Sequence, residues 1–248
     1  MSVRSLVGSI PGVRPVARAI RRNRFLYAAA TLRQLGGIHP RECPICLYKG
    51  YFRASDSPAR FDVECPRCHS HERHRLLGLY LRDQPATGDV VHLAPEPCIQ
   101  GLLREKAASY RTADLFMPGC DLRLDLHAID LRDQSVDLFV CSHLLEHVDD
   151  RRALSELYRC TRPGGRVLIM VPIVEGWRQT YENPDALNDR ASRTLHFGQF
   201  DHVRYYGADI RDRISAAGFT LEEFQASPQD CIRHGLLRGE TVFVAHHG

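Results

Sequence analysis

Lysine is nearly absent from this chain: of its 33 basic residues only Lys49 and Lys106 are lysine, a bias of genome composition rather than of mechanism. Acid is absent from one end. Residues 1–41 carry eight arginines and no Asp or Glu, so the net charge of +3 combines a basic arm with a mildly acidic body. That body also lacks an aromatic–basic stripe, which argues against broad nucleic-acid binding by the body itself. Long apolar runs are missing too. None approaches the roughly 20 residues a helix needs to span a bilayer, and no small-residue cleavage site follows an apolar core, so neither a membrane span nor secretion is expected. Finally, there is no disulfide framework: Cys98, Cys120, Cys141, Cys160 and Cys231 have no regular spacing. They read as buried free thiols in a reducing, cytoplasmic compartment. What remains, 248 residues with 44% apolar and 25% charged, suits one α/β domain and a small appendage.

Three segments are expected: a basic arm over 1–40, a metal ribbon over 41–75 and a larger domain over 76–248. In the arm, Val16, Ile20, Leu26, Ala30 and Leu32 lie among arginines, with helical potential from about Pro15. It reads as a targeting peptide, as a membrane-surface or nucleic-acid contact, or as a helix docked on the protein's own acidic domain.

The remaining four cysteines form Cys43-x-x-Cys46 and Cys65-x-x-Cys68, separated by 18 residues. Each CxxC turns two thiolates toward one point, and two such turns complete a closed tetrahedral shell for structural zinc. Alternating Tyr51, Phe52, Phe61 and Val63 between them suggest a short hairpin of the zinc-ribbon type. His69 and His71 are spare donors expected in solvent; with Arg73, His74 and Arg75 they offer a basic face. A helix through Leu76, Leu77, Leu79, Tyr80 and Leu81 follows.

The most telling stretch is DLFVCSHLLEHVDDRRALSELYRCTRPGGRVLIMVPI, residues 137–173. It reads as a strand (Leu138 to Cys141), a helix (about Asp150 to Cys160), a Pro163-Gly164-Gly165 turn and a strand (Val167 to Val171). Two apolar strands joined by one helix indicate a parallel βαβ unit covered on both faces. Ligands bind such sheets at the strands' carboxyl ends, which brings Ser142, His143 and Pro172 near a site.

This wording resembles the fourth and fifth strands of class I S-adenosylmethionine-dependent methyltransferases, FDvV…hvLeHv…L.El.RvLkPGG.lli..P, and the resemblance extends over roughly residues 88 to 225. It implies an α/β, Rossmann-like doubly wound sheet of seven strands with the last antiparallel, behind the zinc ribbon and the basic amino-terminal helix. It also implies S-adenosylmethionine as cofactor. The first strand, 88–93, leads into His92-Leu93-Ala94-Pro95-Glu96-Pro97, where the family usually has an acid and a glycine-rich turn. Ala94 keeps the backbone slim there, Glu96 is assigned to the methionine ammonium, and the turn resembles that of a zinc-ribbon-bearing branch of the family. A second strand ends at Asp114, whose carboxylate suits two vicinal ribose hydroxyls. The third, Asp121 to Asp125, implies Asp125 for the adenine amino group and the Leu126 N–H for the ring. Ser142 and His143 complete the cofactor set, and Glu146-His147 reads as cofactor wall rather than as an acid–base pair.

After the fifth strand come about 33 irregular residues, Glu175 to Gly207, rich in His196, Phe197, His202, Arg204, Tyr205 and Tyr206. Insertions of this length in a compact domain are usually functional. Methyl transfer needs an aligned acceptor and, for a hydroxyl, removal of its proton. His202 is the candidate base and Glu182 the second, while His196, His202 and Glu182 form an alternative divalent-metal set. A helix from Asp209 to Ala217, strands over 219–224 and 240–245, and a connecting loop over 226–239 complete the domain. The leading expectation is methyl transfer to a small polar metabolite, a sugar or natural-product intermediate. RNA methylation, with ribbon and arm holding phosphates, is one alternative; a non-catalytic ribbon scaffold with a degenerate cofactor turn is the other.

Overall fold

The computed structural model describes residues 36–55, 60–85 and 87–248, together with Ala28 and Leu32. The arm expected over 1–40 lies almost wholly outside the described residues, so its expected helix does too.

Four short strands come first: β1 Pro40–Glu42, β2 Lys49–Tyr51, β3 Arg53–Ser55 and β4 Arg60–Glu64. They pair antiparallel as β1–β2 and β3–β4, and β3–β4 is the short hairpin expected between the two CxxC pairs. The catalytic-size domain follows: α1 Glu72–Arg82, β5 Thr87–Leu93, α2 Pro97–Lys106, β6 Ala107–Asp114, β7 Leu122–Arg123, β8 Val136–Ser142, α3 Asp150–Cys160 and β9 Thr161–Met170. Then come α4 Arg190–Phe197, α5 Ile210–Ala216, β10 Thr220–Gln225, α6 Pro228–His234 and β11 Thr241–His246. Seven strands form one sheet in the order β10-β11-β9-β8-β5-β6-β7. Only β11 runs antiparallel to its neighbours, pairing with β10 on one side and β9 on the other. The expected doubly wound, seven-stranded fold is therefore present.

Side chains alternate across the sheet. Val91, Phe139, Cys141 and Ile169 face a core shared with Leu154 and Leu157 of α3 and Ile210 and Ile214 of α5. Their neighbours Val90, Leu138, Val140 and Leu168 face a second core with Leu76 and Leu77 of α1, Ile99 and Leu103 of α2, and Leu236. Both faces being covered is why these strands read as unbroken apolar runs. At the turn before the main span of β9, a Cβ on Gly165 would stand 2.9 Å from the Arg162 carbonyl and 3.0 Å from that of Asp137. Only glycine fits between them.

Two expected irregular stretches contain helices. The 226–239 segment, expected as loop, holds α6: Ser227 caps it by accepting from the Asp230 N–H, Pro228 occupies its first turn, and Gly235 closes it at φ 60°. Within the insertion, Asp189 caps α4 by accepting from Ser192 N–H, and Gly198 at φ 81° ends it. No described helix is long and apolar enough to cross a membrane.

Candidate active site

The sheet reverses its winding between β5 and β8, and a crevice opens at the carboxyl ends there. A cavity of about 540 Å³ occupies it, lined by Leu93 and Ala94 after β5, Asp114 and Phe116 after β6, Asp125 and Leu126 past β7, and His147 and Asp201 opposite. That volume is within the range of small-molecule and cofactor sites. Four of the expected cofactor residues, Ala94, Asp114, Asp125 and Leu126, lie on its wall.

The first turn works without glycine because Ala94 itself takes the left-handed backbone, φ 42°, and its N–H bonds the Ala113 carbonyl of β6 at 2.9 Å. An alanine side chain is small enough for this strained position, at a cost of about 1 kcal/mol. Glu96, expected at the methionine ammonium, is not on the cavity wall. Its carboxylate accepts from His92 Nε2 at 2.8 Å, while His92 Nδ1 pairs with the Tyr110 hydroxyl at 2.9 Å. His92 is fully buried, so this clasp across β5 and β6 is what shapes the turn. Burial pushes the Glu96 carboxyl up, but the hydrogen bond and charge of His92, with the charge of His74, outweigh it and leave the group below its ordinary value.

Asp114 accepts the N–H groups of Phe116 (2.6 Å) and Met117 (2.7 Å) on the same oxygen, Oδ1. Asp125 receives the His127 N–H at 2.8 Å and its Nδ1 at 2.9 Å. Those contacts, the backbone bond first, hold its carboxyl below the usual range against slight burial. Ser142 and His143 do not line the cavity; Ser142 ends β8 and His143 follows it. His143 has φ 53°, and its N–H is tied to the Met170 carbonyl of β9 at 2.8 Å.

The insertion returns across the site as a strap. Tyr181 and Tyr205 exchange backbone bonds of 2.8 and 3.0 Å, and Val203 N–H reaches the Glu146 carbonyl at 2.9 Å. Buried Tyr206 donates to Leu145 O at 3.1 Å or to Asp150 Oδ2 at 3.0 Å. Glu182 belongs to this framework. It accepts from Arg204 Nε at 2.8 Å and Arg213 at 3.2 Å, which neutralises it and leaves it poorly suited to abstract a proton; the expected base role is corrected to a strap anchor. His196 pairs instead with the Tyr181 hydroxyl at 2.7 Å, so the His196–His202–Glu182 metal set does not assemble.

His202 does not itself line the cavity, but its neighbours Asp201 and His147 do. It is 4% exposed, and its ring meets that of His147 edge-on at 4.8 Å. Burial, partly opposed by the charge of Glu146, holds its pKa below the ordinary histidine value, so the ring is neutral near pH 7. Asp201 turns toward His147, its backbone oxygen accepting from Nδ1 at 3.2 Å. Glu146, expected as cofactor wall, completes a compact group: one donor atom each from Glu146, His147 and His202 lies within 4.8 Å of the others.

The four cysteines converge as spaced. Cys43 and Cys68 Sγ are 3.6 Å apart, as are Cys46 and Cys65 Sγ. A tetrahedron with zinc–sulfur bonds of about 2.3 Å has edges near 3.8 Å, so the four sulfurs fit a zinc ion. The two CxxC turns are built alike: Leu47 N–H bonds Cys43 O and His69 N–H bonds Cys65 O, with Leu47 and His69 both left-handed at φ 60° and 58°. His69 is exposed, as expected, and pairs with Glu64; His71 is half-buried and caps α1. Arg75 ties the ribbon down. Fully buried, it donates to the carbonyls of Val63 (2.7 Å), Ser70 (2.5 Å), His234 (2.8 Å) and Gly235 (2.7 Å) and stands 4.5 Å over the Phe52 ring.

No curated protein matches the chain. Among solved structures, it is similar to a chain from the Haloferax volcanii complex between the Trm112 methyltransferase activator and a methyltransferase (17% identity, 71% of this chain and 90% of that one, TM-score 0.48). It is also similar to an S-adenosylmethionine-dependent methyltransferase from Mesorhizobium loti (17%, 68% and 96%, 0.47). A third is the Burkholderia thailandensis 1,6-didemethyltoxoflavin-N1-methyltransferase with bound S-adenosylhomocysteine (16%, 69% and 74%, 0.46). A family model described as a methyltransferase domain matches residues 90–169, the span from β5 through β9 that carries the crevice. Over residues 90–169, which carry the crevice, this chain is therefore similar to that methyltransferase domain family.

Proposed function

We propose that the protein transfers a methyl group from S-adenosylmethionine to a small polar metabolite, and that Cys43, Cys46, Cys65 and Cys68 hold a structural zinc ion. The observation that carries the first part is the division of the cavity. One wall bears Asp114, Asp125 and Leu126; the other is formed by the turn after β8 and by Asp201 of the insertion. On this reading Asp114 receives the ribose hydroxyls, Asp125 the adenine amino group and the Leu126 N–H the ring, while Ala94 lets the backbone approach the methionine portion. His202 and His147 then stand at the acceptor end, where their imidazoles handle the acceptor. The strap closes the site to a size suited to a small molecule. For the ribbon, a module whose buried apolar cluster is Cys43, Phe52 and Cys65 needs the free energy of metal binding to fold.

Calorimetric titration of the zinc-loaded protein with S-adenosylhomocysteine tests the site. Wild type is expected to bind in the micromolar range, and Asp114→Ala to weaken binding at least about tenfold. Equal affinity in the two proteins would displace the cofactor from this cavity, and no binding by either would end the methyltransferase reading.

A further inference from the structure

Glu146 is the anomaly of the site. Its side chain is fully buried, yet neither carboxylate oxygen accepts a hydrogen bond from any described residue. The nearest cationic candidate, His143 Nδ1, lies 3.2 Å from Oε1 without hydrogen-bond geometry. A buried carboxylate left this way is strongly unfavourable unless something compensates it. Two further imidazoles lie near it. His202 Nδ1 is itself buried and unpartnered. His147 pairs its Nδ1 with the Asp201 carbonyl, an arrangement that protonates Nδ1 and leaves the Nε2 lone pair free. This is the outer bond that commonly orients a metal-ligating histidine.

We propose that Glu146, His147 and His202 bind a divalent transition-metal ion whose open position faces the cavity and takes the acceptor's hydroxyl oxygen. The donors lie within 4.8 Å of one another. Ligands about 2.1 Å from a common ion stand about 3.4 Å apart in a tetrahedral shell, so modest side-chain rotation closes the set. Three protein ligands of the His₂Glu type leave room for a further ligand, unlike the closed four-cysteine shell. His147 borders the cavity, so that further ligand comes from the cavity side. The ion lowers the pKa of a bound hydroxyl, as it does for bound water. The hydroxyl proton passes to solvent, and the oxygen's electron pair forms the new bond to the methyl carbon. The carbon–sulfur pair stays on sulfur, turning the sulfonium into the neutral thioether. His202 is thereby a ligand rather than a base. The inference rests on the methyltransferase reading and narrows its acceptor to a hydroxyl compound.

The test uses the zinc-loaded full chain and Mn²⁺, which prefers carboxylate and imidazole to thiolate. Electron paramagnetic resonance is expected to show one Mn²⁺ bound per chain, lost in Glu146→Gln and in His202→Ala but retained in His196→Ala, with circular dichroism confirming that each variant is folded. If a variant fails to fold, the wild-type stoichiometry still decides. A wild-type protein that leaves millimolar Mn²⁺ entirely free overturns the site, as does binding that survives both ligand substitutions. Titration with S-adenosylhomocysteine separates the two readings: cofactor binding without Mn²⁺ binding removes the metal site alone, whereas loss of cofactor binding removes the methyltransferase reading beneath it.

Discussion

At the scale of single residues, the least conventional position is Ala94, where left-handed backbone is held without glycine. Ala94→Gly is expected to relieve about 1 kcal/mol of strain, partly offset by glycine's greater freedom in the unfolded chain, and to keep cofactor affinity. Ala94→Val places a branched side chain both in an unfavourable backbone region and against the cavity, and should abolish calorimetric binding of S-adenosylhomocysteine. Glu240 is a second such residue: burial pushes its carboxyl up to about 7. A carboxyl raised in the folded state is protonated there when the unfolded chain has already lost its proton, so stability falls as pH climbs from about 4.5 to 7 and is flat above. Glu240→Gln removes that loss. Denaturant unfolding should show the variant gaining up to about 3 kcal/mol over wild type at pH 8 and little at pH 4. Residue positions were legible in the sequence only where topology dictates them. Asp114 ends β6 and Asp125 lies just past β7, and both line the crevice. Glu96 and Glu182 were misplaced because a nearby partner, His92 in one case and Arg204 with Arg213 in the other, claims the carboxylate. Pairings of that kind are set by tertiary contact, not by spacing.

At the scale of elements, α3 was legible to the residue because its apolar stripe has period 3.6 and Asp149 caps it, accepting from Arg152 N–H. Helix α6 carries an equally plain signal, Ser-Pro-x-Asp at its start and Gly at its end, but only seven residues separate them. That is too short for periodicity to register. The element that matters most for coherence is the joint formed by Arg75 between the ribbon and α6. Four carbonyls converge on one guanidinium. Arg75→Ala should cost at least about 3 kcal/mol in urea unfolding, since buried acceptors are left unmade as well as a cation removed. Arg75→Lys is expected to rescue little of it, because an ammonium cannot span the fork that a planar guanidinium covers.

At the scale of the whole molecule, the doubly wound sheet was legible because parallel strands buried on both faces must be apolar throughout, and the chain contains such runs at regular intervals. How the ribbon sits was not, since no sequence pattern links Arg75 to carbonyls near residue 234. Chelating the metal should therefore do more than melt residues 40–70. Hydrogen exchange is expected to accelerate through β1–β4 and into α1 and α6, while β5, β8 and β9 keep their protection, and the melting temperature should drop. A ribbon merely tethered to the domain would leave α6 exchange unchanged. The same joint bears on how the molecule is made. Arg75 and the Gly235 carbonyl it grips are 160 residues apart in the chain, roughly 10–30 s of ribosomal synthesis. The cysteine module is thus complete and able to capture its ion long before the helix it docks against has emerged, and β11, threaded between β9 and β10, comes later still. Docking of the two modules must wait until residues near 235 have been made, and a zinc ion held as proposed would be captured before that.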